Sequence, residues 1–352
     1  MSIQTYKYNQ SFSLENGASL PSLEIAYHTY GELNKKKNNV IWICHALTAS
    51  SDAADWWSGL VGEGKAFDTN KYFVVCANIL GSCYGSSGPL SINPATGKKY
   101  YSNFPQVTIR DMVNAHVLLR KHLGIEKIFI GAGGSMGAYQ ILEWAVMEPK
   151  IFERTILMNT SAKESAWGIA IHTAQRLAIE ADATWKDNTD TAGAKGLKAA
   201  RAIGMLTYRN YETFAEQQTD EEHHKLDNYK ADSYINYQGE KLVKRFNAYS
   251  YWLLTKSMDS HNLARRRTAT PALKGGTAAL RPLGLGQALK SIKTKALVVG
   301  ISSDILCPNA EQKFLAKHLS KASLKIIDSS YGHDGFLIEW GKLTETIQKW
   351  IR

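Results

Sequence analysis

The feature of this chain that most restricts its fold is a short turn, Gly133-Gly134-Ser135-Met136-Gly137, between two different kinds of segment. The apolar run 127–131 before it is typical of a buried strand, and the stretch 138–147 after it is typical of an amphipathic helix. Glycines two residues before and after a serine remove side chains that would collide in a sharp strand-to-helix turn. The pattern therefore predicts that Ser135 is an exposed nucleophile.

The remainder of the chain predicts an α/β fold, a mostly parallel sheet flanked by helices, because short β-rich runs alternate with amphipathic segments. The predicted strands are 23–29, 40–44, 72–77, 127–131, 155–159, 296–301 and 324–327, and the predicted helices of the core are 107–123, 138–147, 310–319 and 343–351.

The composition changes between about residues 161 and 285, where Ala, Lys, Glu, Gln and Leu replace the β-branched runs. This change predicts a helical cap inserted into the sheet domain. We expect residues 1–160 and 286–352 to form the core and residues 161–285 to form the cap.

Composition and charge exclude several classes of protein. The chain has 352 residues, 44% of them hydrophobic, which is enough for a large core. Its net charge of +10 is spread along the sequence, so we predict no nucleic-acid or membrane partner but an attraction for polyanionic small molecules. No signal-like or membrane-spanning run is present and the four cysteines show no close pairing, so we expect a cytoplasmic protein with no bound cofactor and no metal site.

A serine nucleophile needs a histidine base, and His333 is the best candidate. It lies in the loop Tyr331-Gly332-His333-Asp334-Gly335 after the last predicted strand. His318 lies in a charged helical segment, where a surface position is expected. The other histidines behind Ser135 fall in the predicted cap: His172, His223, His224 and His261.

The acid that orients the base is predicted to be Asp304, just beyond the strand 296–301. This is the carboxyl end of a strand, where α/β sheets bind their ligands. Asp328 is the alternative, but it lies five residues before His333 and closes the following strand. For the oxyanion hole we predict the N–H groups of Met136 and Leu47, because the loop 44–48 follows an early strand. His45, in the same loop, is interpreted as a structural hydrogen-bonding residue.

Several dispersed motifs resemble the homoserine O-acetyltransferase family, whose members have the α/β-hydrolase fold. The resemblance runs nearly end to end and rests on His45-Ala46-Leu47-Thr48, the stretches 78–89, 91–94 and 108–113, the serine turn, Gly332-His333-Asp334, and Tyr237-Gln238-Gly239 with 245–251 in the cap.

The resemblance implies a ping-pong transfer in methionine biosynthesis. Acetyl-CoA, as co-substrate, acetylates Ser135, and the side-chain hydroxyl of L-homoserine then accepts the acetyl group. It also implies that Arg201, Tyr208 and Asp334 bind the amino acid, which is chemically reasonable because a guanidinium binds a carboxylate and a carboxylate binds an ammonium group. The family's cap helices usually form a homodimer.

The chain departs from the family pattern at Ala138-Tyr139 and at His172-Thr173. These departures leave a succinyl donor or a serine acceptor as alternatives. A serine esterase is a further alternative, since hydrolysis uses the same triad. A non-catalytic binding module is disfavoured because nucleophile, acid, base and oxyanion loop occur in the expected order.

Overall fold

The computed structural model describes residues 2–265 and 284–352. In these residues an eight-stranded sheet has the order β1-β4-β8-β5-β11-β12-β13-β14, with three two-stranded ribbons beside it. The strands are β1 (Gln4–Tyr8), β2 (Phe12–Ser13), β3 (Ser19–Leu20), β4 (Leu23–Tyr30), β5 (Val40–Cys44), β6 (Val61–Gly62), β7 (Phe67–Asp68), β8 (Phe73–Ala77), β9 (Ile92–Asn93), β10 (Lys98–Lys99), β11 (Ile128–Gly134), β12 (Phe152–Met158), β13 (Lys295–Ile301) and β14 (Ala322–Ile327).

The helices of the described residues are α1 (Ala53–Trp56), α2 (Ile109–His122), α3 (Met136–Met147), α4 (Ala166–Glu180), α5 (Ala194–Tyr208), α6 (Tyr211–Gln218), α7 (Lys230–Val243), α8 (Ala248–Asp259), α9 (Leu285–Ser291), α10 (Asn309–His318), α11 (Gly335–Ile338) and α12 (Trp340–Ile351). Short 3-10 helices cover Tyr101–Asn103 and Gly332–Asp334.

Most of the sheet is parallel. Strands β8, β5, β11, β12, β13 and β14 pair in parallel, whereas β1 and β4 add an antiparallel edge. Strand β5 lies in the middle, where Ile41 pairs with Val74 on one side and with Ile130 on the other. The predicted fold class, a mostly parallel sheet flanked by helices, is confirmed.

Strand β5 shows why both faces of the sheet need helices. Val40, Trp42 and Cys44 enter one hydrophobic cluster, and Ile41 and Ile43 enter another. Successive side chains of a strand point to opposite faces, so an all-apolar strand must be covered on both. Helices α2 and α3 contribute to the first cluster, and α11 and α12 contribute to the second.

Helices α4 to α8 follow β12 and pack mainly on one another, α5 against α4 and α7, and α4 against α8. They fall within the predicted cap. Its boundaries at residues 161 and 285 stay a prediction, and residues 266–283, with the basic positions 266 and 267, lie outside the described residues.

Two details differ from the expectations. The predicted strand 155–159 begins earlier, at Phe152, and ends at Met158, because Asn159 turns into the left-handed region with φ of 47°. Strand β1 was not expected, because its polar, partly exposed sequence Gln-Thr-Tyr-Lys-Tyr lacks the apolar alternation of an internal strand.

Two further findings concern helices and thiols. Within the described ranges, no helix is both long and apolar enough to cross a bilayer. The cysteines Cys44, Cys76, Cys83 and Cys307 are free thiols, and Cys44, Cys76 and Cys307 are buried.

Two glycines at the same place in their helices provide a matched test of the fold. A Cβ on Gly137, the second residue of α3, would overlap the carbonyl oxygen of Cys44, whereas Gly341, the second residue of α12, has open space around it. We expect Gly137→Ala to lower the free energy of unfolding by about 1–3 kcal/mol and Gly341→Ala to leave it unchanged or raise it by up to about 1 kcal/mol. Denaturant unfolding of both variants measures this; equal stabilities would contradict the close approach of α3 to β5.

Candidate active site

Ser135 occupies the turn between β11 and α3 with a strained backbone, φ of 53° and ψ of −127°. Its N–H donates to the carbonyl oxygen of Met158 on the neighbouring strand (2.9 Å). A Cβ on Gly133 would overlap the backbone of Gly137, so the turn requires glycine there. A non-glycine residue with positive φ is uncommon and persists only where its surroundings impose it, which directs attention to this serine.

His333 and Asp304 form a buried pair. The Nδ1 of His333 lies 2.8 Å from Oδ2 of Asp304, and both side chains are almost inaccessible. Asp304 follows β13, and His333 follows β14 in the 3-10 helix Gly332–Asp334. A carboxylate that accepts the Nδ1 proton leaves Nε2 as a base, which is the arrangement that activates a serine hydroxyl.

The carboxylate of Asp304 is held by three further donors. Its Oδ1 accepts the N–H groups of Leu306 and Cys307, each at 2.9 Å. Its Oδ2 also accepts Nδ2 of Asn159 at 2.8 Å. The carboxylate is thus fixed in the orientation that faces His333.

Burial alone would lower the pKa of His333, but the surrounding carboxylates together outweigh it and raise this pKa above the usual value, with the charge and hydrogen bond of Asp304 as the main contribution. The carboxylates of Asp334 and Glu164 act in the same direction. Because the neutral ring is the base, the raised pKa limits its availability on the acid side.

Asp328 and four of the five alternative histidines lie outside the lining of the cavity that holds Ser135 and His333, and the fifth, His172, belongs to that lining. Asp328 is exposed and accepts the hydroxyl of Ser302 (2.9 Å). His318 is half-buried on α10, where Nδ1 bonds the carbonyl oxygen of Phe314. Of the histidines in the predicted cap, His223 and His224 are exposed. His261 is buried and bonds the carbonyl oxygen of Ser161, and His172 bonds Asp259 through Nδ1 (2.9 Å).

A cavity of about 500 Å³ brings most of the predicted site residues together. Its lining includes Ser135 and His333, the loop residue Leu47, and the three residues implied for amino-acid binding, Arg201, Tyr208 and Asp334. Asp304 lies behind His333 and does not line it. His172, which the sequence assigned only to the cap, is also part of the lining.

The predicted oxyanion residues lie in two segments that Gln140 joins. Met136 is the first residue of α3 and is fully buried, and Leu47 lines the cavity. The Nε2 of Gln140 donates to the carbonyl oxygens of His45 and Met136, both at 3.2 Å. The loop and the serine turn are therefore held at a fixed separation, as a preorganised oxyanion hole requires.

His45 fixes the oxyanion loop. Its Nε2 accepts the N–H of Ile79 (3.1 Å), so the proton is on Nδ1, which donates to the carbonyl oxygen of Ala46 (2.8 Å). Burial lowers the pKa of His45 to about 4, and the ring stays neutral. The structural interpretation of this histidine agrees with its hydrogen bonds.

Residues on the helices after β12 supply the other wall of the cavity. The Arg201 guanidinium lies over the ring of Tyr208, 5.4 Å from its centroid, and the Tyr208 ring is 6.0 Å from that of His333. Asp334 pairs with Arg209 (3.5 Å). Burial raises the pKa of Asp334, while Arg209 and then Arg201 oppose that rise.

The sequence reasoning missed Asn159, Gln140 and Arg209 as supporting residues. Asn159 could have been suspected, since a polar residue directly after a buried parallel strand lies at the functional edge of the sheet. Gln140 and Arg209 carry no local signal, because their roles depend on contacts with distant segments.

Asp304, Cys307 and His333 also bring potential metal ligands within 4.8 Å of one another. The Asp304 oxygens already accept four hydrogen bonds, and burial raises the pKa of the Cys307 thiol well above its usual value. A protonated thiol and a saturated carboxylate fit an acid–base pair better than a metal site.

The charges around His333 predict a pH dependence. A fluorophosphonate labels a serine only when the base is neutral, so labelling of Ser135 should decline as the pH falls through the raised pKa of His333. Asp334→Asn removes a negative charge and should move that inflection to lower pH. Asp328→Asn should leave it in place; an unmoved inflection in Asp334→Asn, or an equal shift in both variants, would contradict the assignment.

Comparison with known proteins agrees with this geometry. A family profile for the alpha/beta hydrolase fold matches residues 39–339. The chain is 47% identical over 343 residues to the homoserine O-acetyltransferase of Cyclobacterium marinum, covering 97% of this chain and 93% of that protein. It is 42% identical over 351 residues to the enzyme of the same name from Chlorobaculum tepidum, covering 99% and 93%.

Solved structures with the same architecture include both transferases and hydrolases. The homoserine O-acetyltransferase of Bacillus anthracis superposes with a TM-score of 0.85 at 25% identity, covering 100% of this chain and 98% of that one. Esterase E22 superposes with a TM-score of 0.85 at 24% identity, covering both chains fully. The likeness to the esterase shows the shared fold alone.

Proposed function

The chain belongs to the homoserine O-acetyltransferase family of the α/β-hydrolase fold, and on that premise we propose that it transfers the acetyl group of acetyl-CoA to the side-chain hydroxyl of L-homoserine. The observation that carries the proposal is the buried His333–Asp304 pair, whose histidine lines one cavity with Ser135, Arg201 and Asp334. Nucleophile, base and two oppositely charged groups suited to an amino acid thus meet in one place.

In the first half-reaction, Nε2 of His333 takes the hydroxyl proton of Ser135 as Oγ attacks the thioester carbon. The N–H groups of Leu47 and Met136 stabilise the oxyanion. When the intermediate collapses, the C–S bond breaks and the CoA sulfur leaves with the proton from His333. The product is acetyl-Ser135, and Asp304 stabilises the imidazolium throughout.

In the second half-reaction, His333 removes the proton from the homoserine hydroxyl as its oxygen attacks the acetyl carbon. When this intermediate collapses, the bond between the acetyl carbon and Oγ breaks, and His333 returns the proton to Ser135. Arg201 binds the α-carboxylate and Asp334 binds the α-ammonium. Tyr208, packed between Arg201 and the ring of His333, forms the wall between them. Two opposite charges at fixed positions orient a zwitterion so that only its side chain reaches the acetyl group.

The wider assignments rest on the same premise. We propose that the enzyme acts in the cytoplasm in methionine biosynthesis, that residues 161–285 form a cap over the core, and that the cap helices form a homodimer. Large apolar side chains exposed on α4, α5 and α7 support the dimer: Trp167, Leu177, Leu206 and Tyr237.

A thiol-release assay tests the function and separates it from the alternatives. Acetyl-CoA and succinyl-CoA are crossed with homoserine, serine and no acceptor. We expect fast thiol release with acetyl-CoA and homoserine only, and mass spectrometry should find an acetyl adduct on the wild type but not on Ser135→Ala. Release that is independent of the acceptor would indicate an esterase, and preference for another pair would replace the assigned substrates.

A substitution of the cap arginine tests the acceptor site. Arg201→Ala should leave acetylation of Ser135 unchanged and lower kcat/KM for homoserine about tenfold to a few hundredfold, because it removes one charge-assisted contact of roughly 1.5–3 kcal/mol. Rapid-mixing acylation followed by a homoserine titration measures the two steps. The control is Lys198→Ala on the same helix, which loses only an exposed pair with Glu240 (3.0 Å). Slow acylation with normal discharge to homoserine would assign Arg201 to the donor side instead.

A further inference from the structure

Two cations in the cavity lining are not used by the mechanism above. Lys241 lies in the last turn of α7, and Arg245 follows four residues later, just after the helix. Both are exposed, and neither pairs with a carboxylate within residues 2–265 and 284–352. Neighbouring cations of the cap do have acidic partners: Lys198 pairs with Glu240, and Arg209 pairs with Asp334.

The position of Arg245 is fixed. Its Nη1 donates to the carbonyl oxygen of Thr48 (2.5 Å) and to the hydroxyl of Tyr84 (2.6 Å), and both of these residues line the cavity. In the described part of the chain, its Nε and Nη2 make no hydrogen bond. A guanidinium held by one nitrogen with its other donors free is preorganised to bind an anion.

Lys241 adds a second positive charge one helical turn away. Its Nζ lies 6.0 Å from the ring centroid of Tyr237, and it forms no salt bridge within the residues that the structure describes. The acidic residues of the cavity lining are Asp334, which pairs with Arg209, and Asp55. The wall formed by Thr48, Tyr84 and the end of α7 therefore carries excess positive charge.

We propose that Lys241 and Arg245 bind the phosphate groups of the acyl donor, so that the wall at the end of α7 is the entry for a phosphorylated thioester; this rests on the proposed function. A zwitterionic acceptor has one carboxylate, which Arg201 takes, and needs no further cations. A CoA thioester carries several phosphate groups, and the two cations of this wall can bind them.

Three donors of decreasing charge test the proposal: acetyl-CoA, acetyl-dephospho-CoA and acetyl-pantetheine. Lys241→Gln should lower kcat/KM for acetyl-CoA about fivefold, chiefly through KM, because an exposed charge contact is modest. It should leave kcat/KM for acetyl-pantetheine unchanged. The decrease in kcat/KM for acetyl-CoA should become smaller at high salt. Acetyl-dephospho-CoA shows whether the terminal phosphate or the diphosphate is bound. Lys244→Gln is the matched control, since it removes the same charge from an exposed neighbour outside the cavity lining.

Arg245→Gln separates anion binding from support of the loop. If the guanidinium binds phosphate, this substitution should lower kcat/KM for acetyl-CoA more than kcat/KM for acetyl-pantetheine. The decrease with acetyl-pantetheine measures what the contact with Thr48 contributes. If Lys241→Gln and Arg245→Gln each lowered kcat/KM equally for all three donors, the proposal would be overturned.

Direct binding keeps this test independent of the transfer reaction. Calorimetry of CoA and of pantetheine with the Ser135→Ala protein should show tighter binding of CoA. Adding Lys241→Gln to that protein should weaken the binding of CoA about fivefold and leave the binding of pantetheine unchanged. If the wild type transferred no acetyl group yet this difference appeared, the proposed function would fail and the phosphate site would stand. If homoserine were acetylated but CoA and pantetheine bound equally, the phosphate site would fail alone.

Discussion

The left-handed backbone of Ser135 is the constraint on which the rest of the site depends. Its positive φ turns the chain from β11 into α3 within one residue, so the helix starts directly beside the loop after β5. Only glycine fits at 137, because a side chain there would occupy the position of the Cys44 carbonyl oxygen. The same close approach places the first turn of α3 beside the loop of Leu47, and Gln140 bonds a carbonyl oxygen of each segment.

Sheet order then determines which residues can reach that serine. Strands β12, β13 and β14 lie successively beyond β11, and each ends at the same edge because they are parallel. Asn159 follows the first of them, Asp304 the second and His333 comes after the third. The carboxyl of Asp304 bonds both of the others, so three consecutive strand ends are linked by hydrogen bonds.

Those parts of the site that follow from strand order could be predicted from the sequence, whereas the site residues on the helices after β12 could not be predicted from local pattern alone. Ser135, Asp304 and His333 are each marked by a glycine-rich turn or by a position just after a strand, and both are local signals. Arg201 has no such signal: by itself it is a cation on an amphipathic helix, and only the family resemblance gave it a role. Arg209 and Gln140 were missed because the contacts that give them a role, with Asp334 and His45, span more than 90 residues of sequence.

The end of α5 and the start of α6 also hold the loop that carries His333. Gly332, with φ of 62°, packs so closely on the end of α5 that a Cβ there would overlap the backbone of Tyr208 and Arg209. Thr213 donates to the carbonyl oxygen of Ser330 (2.8 Å). The base is therefore supported by Asp304 at the end of a strand and by the end of α5.

If the acceptor binds at Asp334 as proposed, the charge of this residue links acceptor binding to the base. Arg209 and Arg201 oppose the rise that burial causes in the pKa of Asp334, and Asp334 in turn raises the pKa of His333. An acceptor ammonium placed on Asp334 would offset that negative charge and lower the pKa of His333, because a positive charge disfavours the imidazolium. The base would then be neutral over a wider pH range when the acceptor is bound than when water alone occupies the cavity. Transfer and hydrolysis share one acyl-serine, so such a coupling favours the amino acid over water at the step where the two compete.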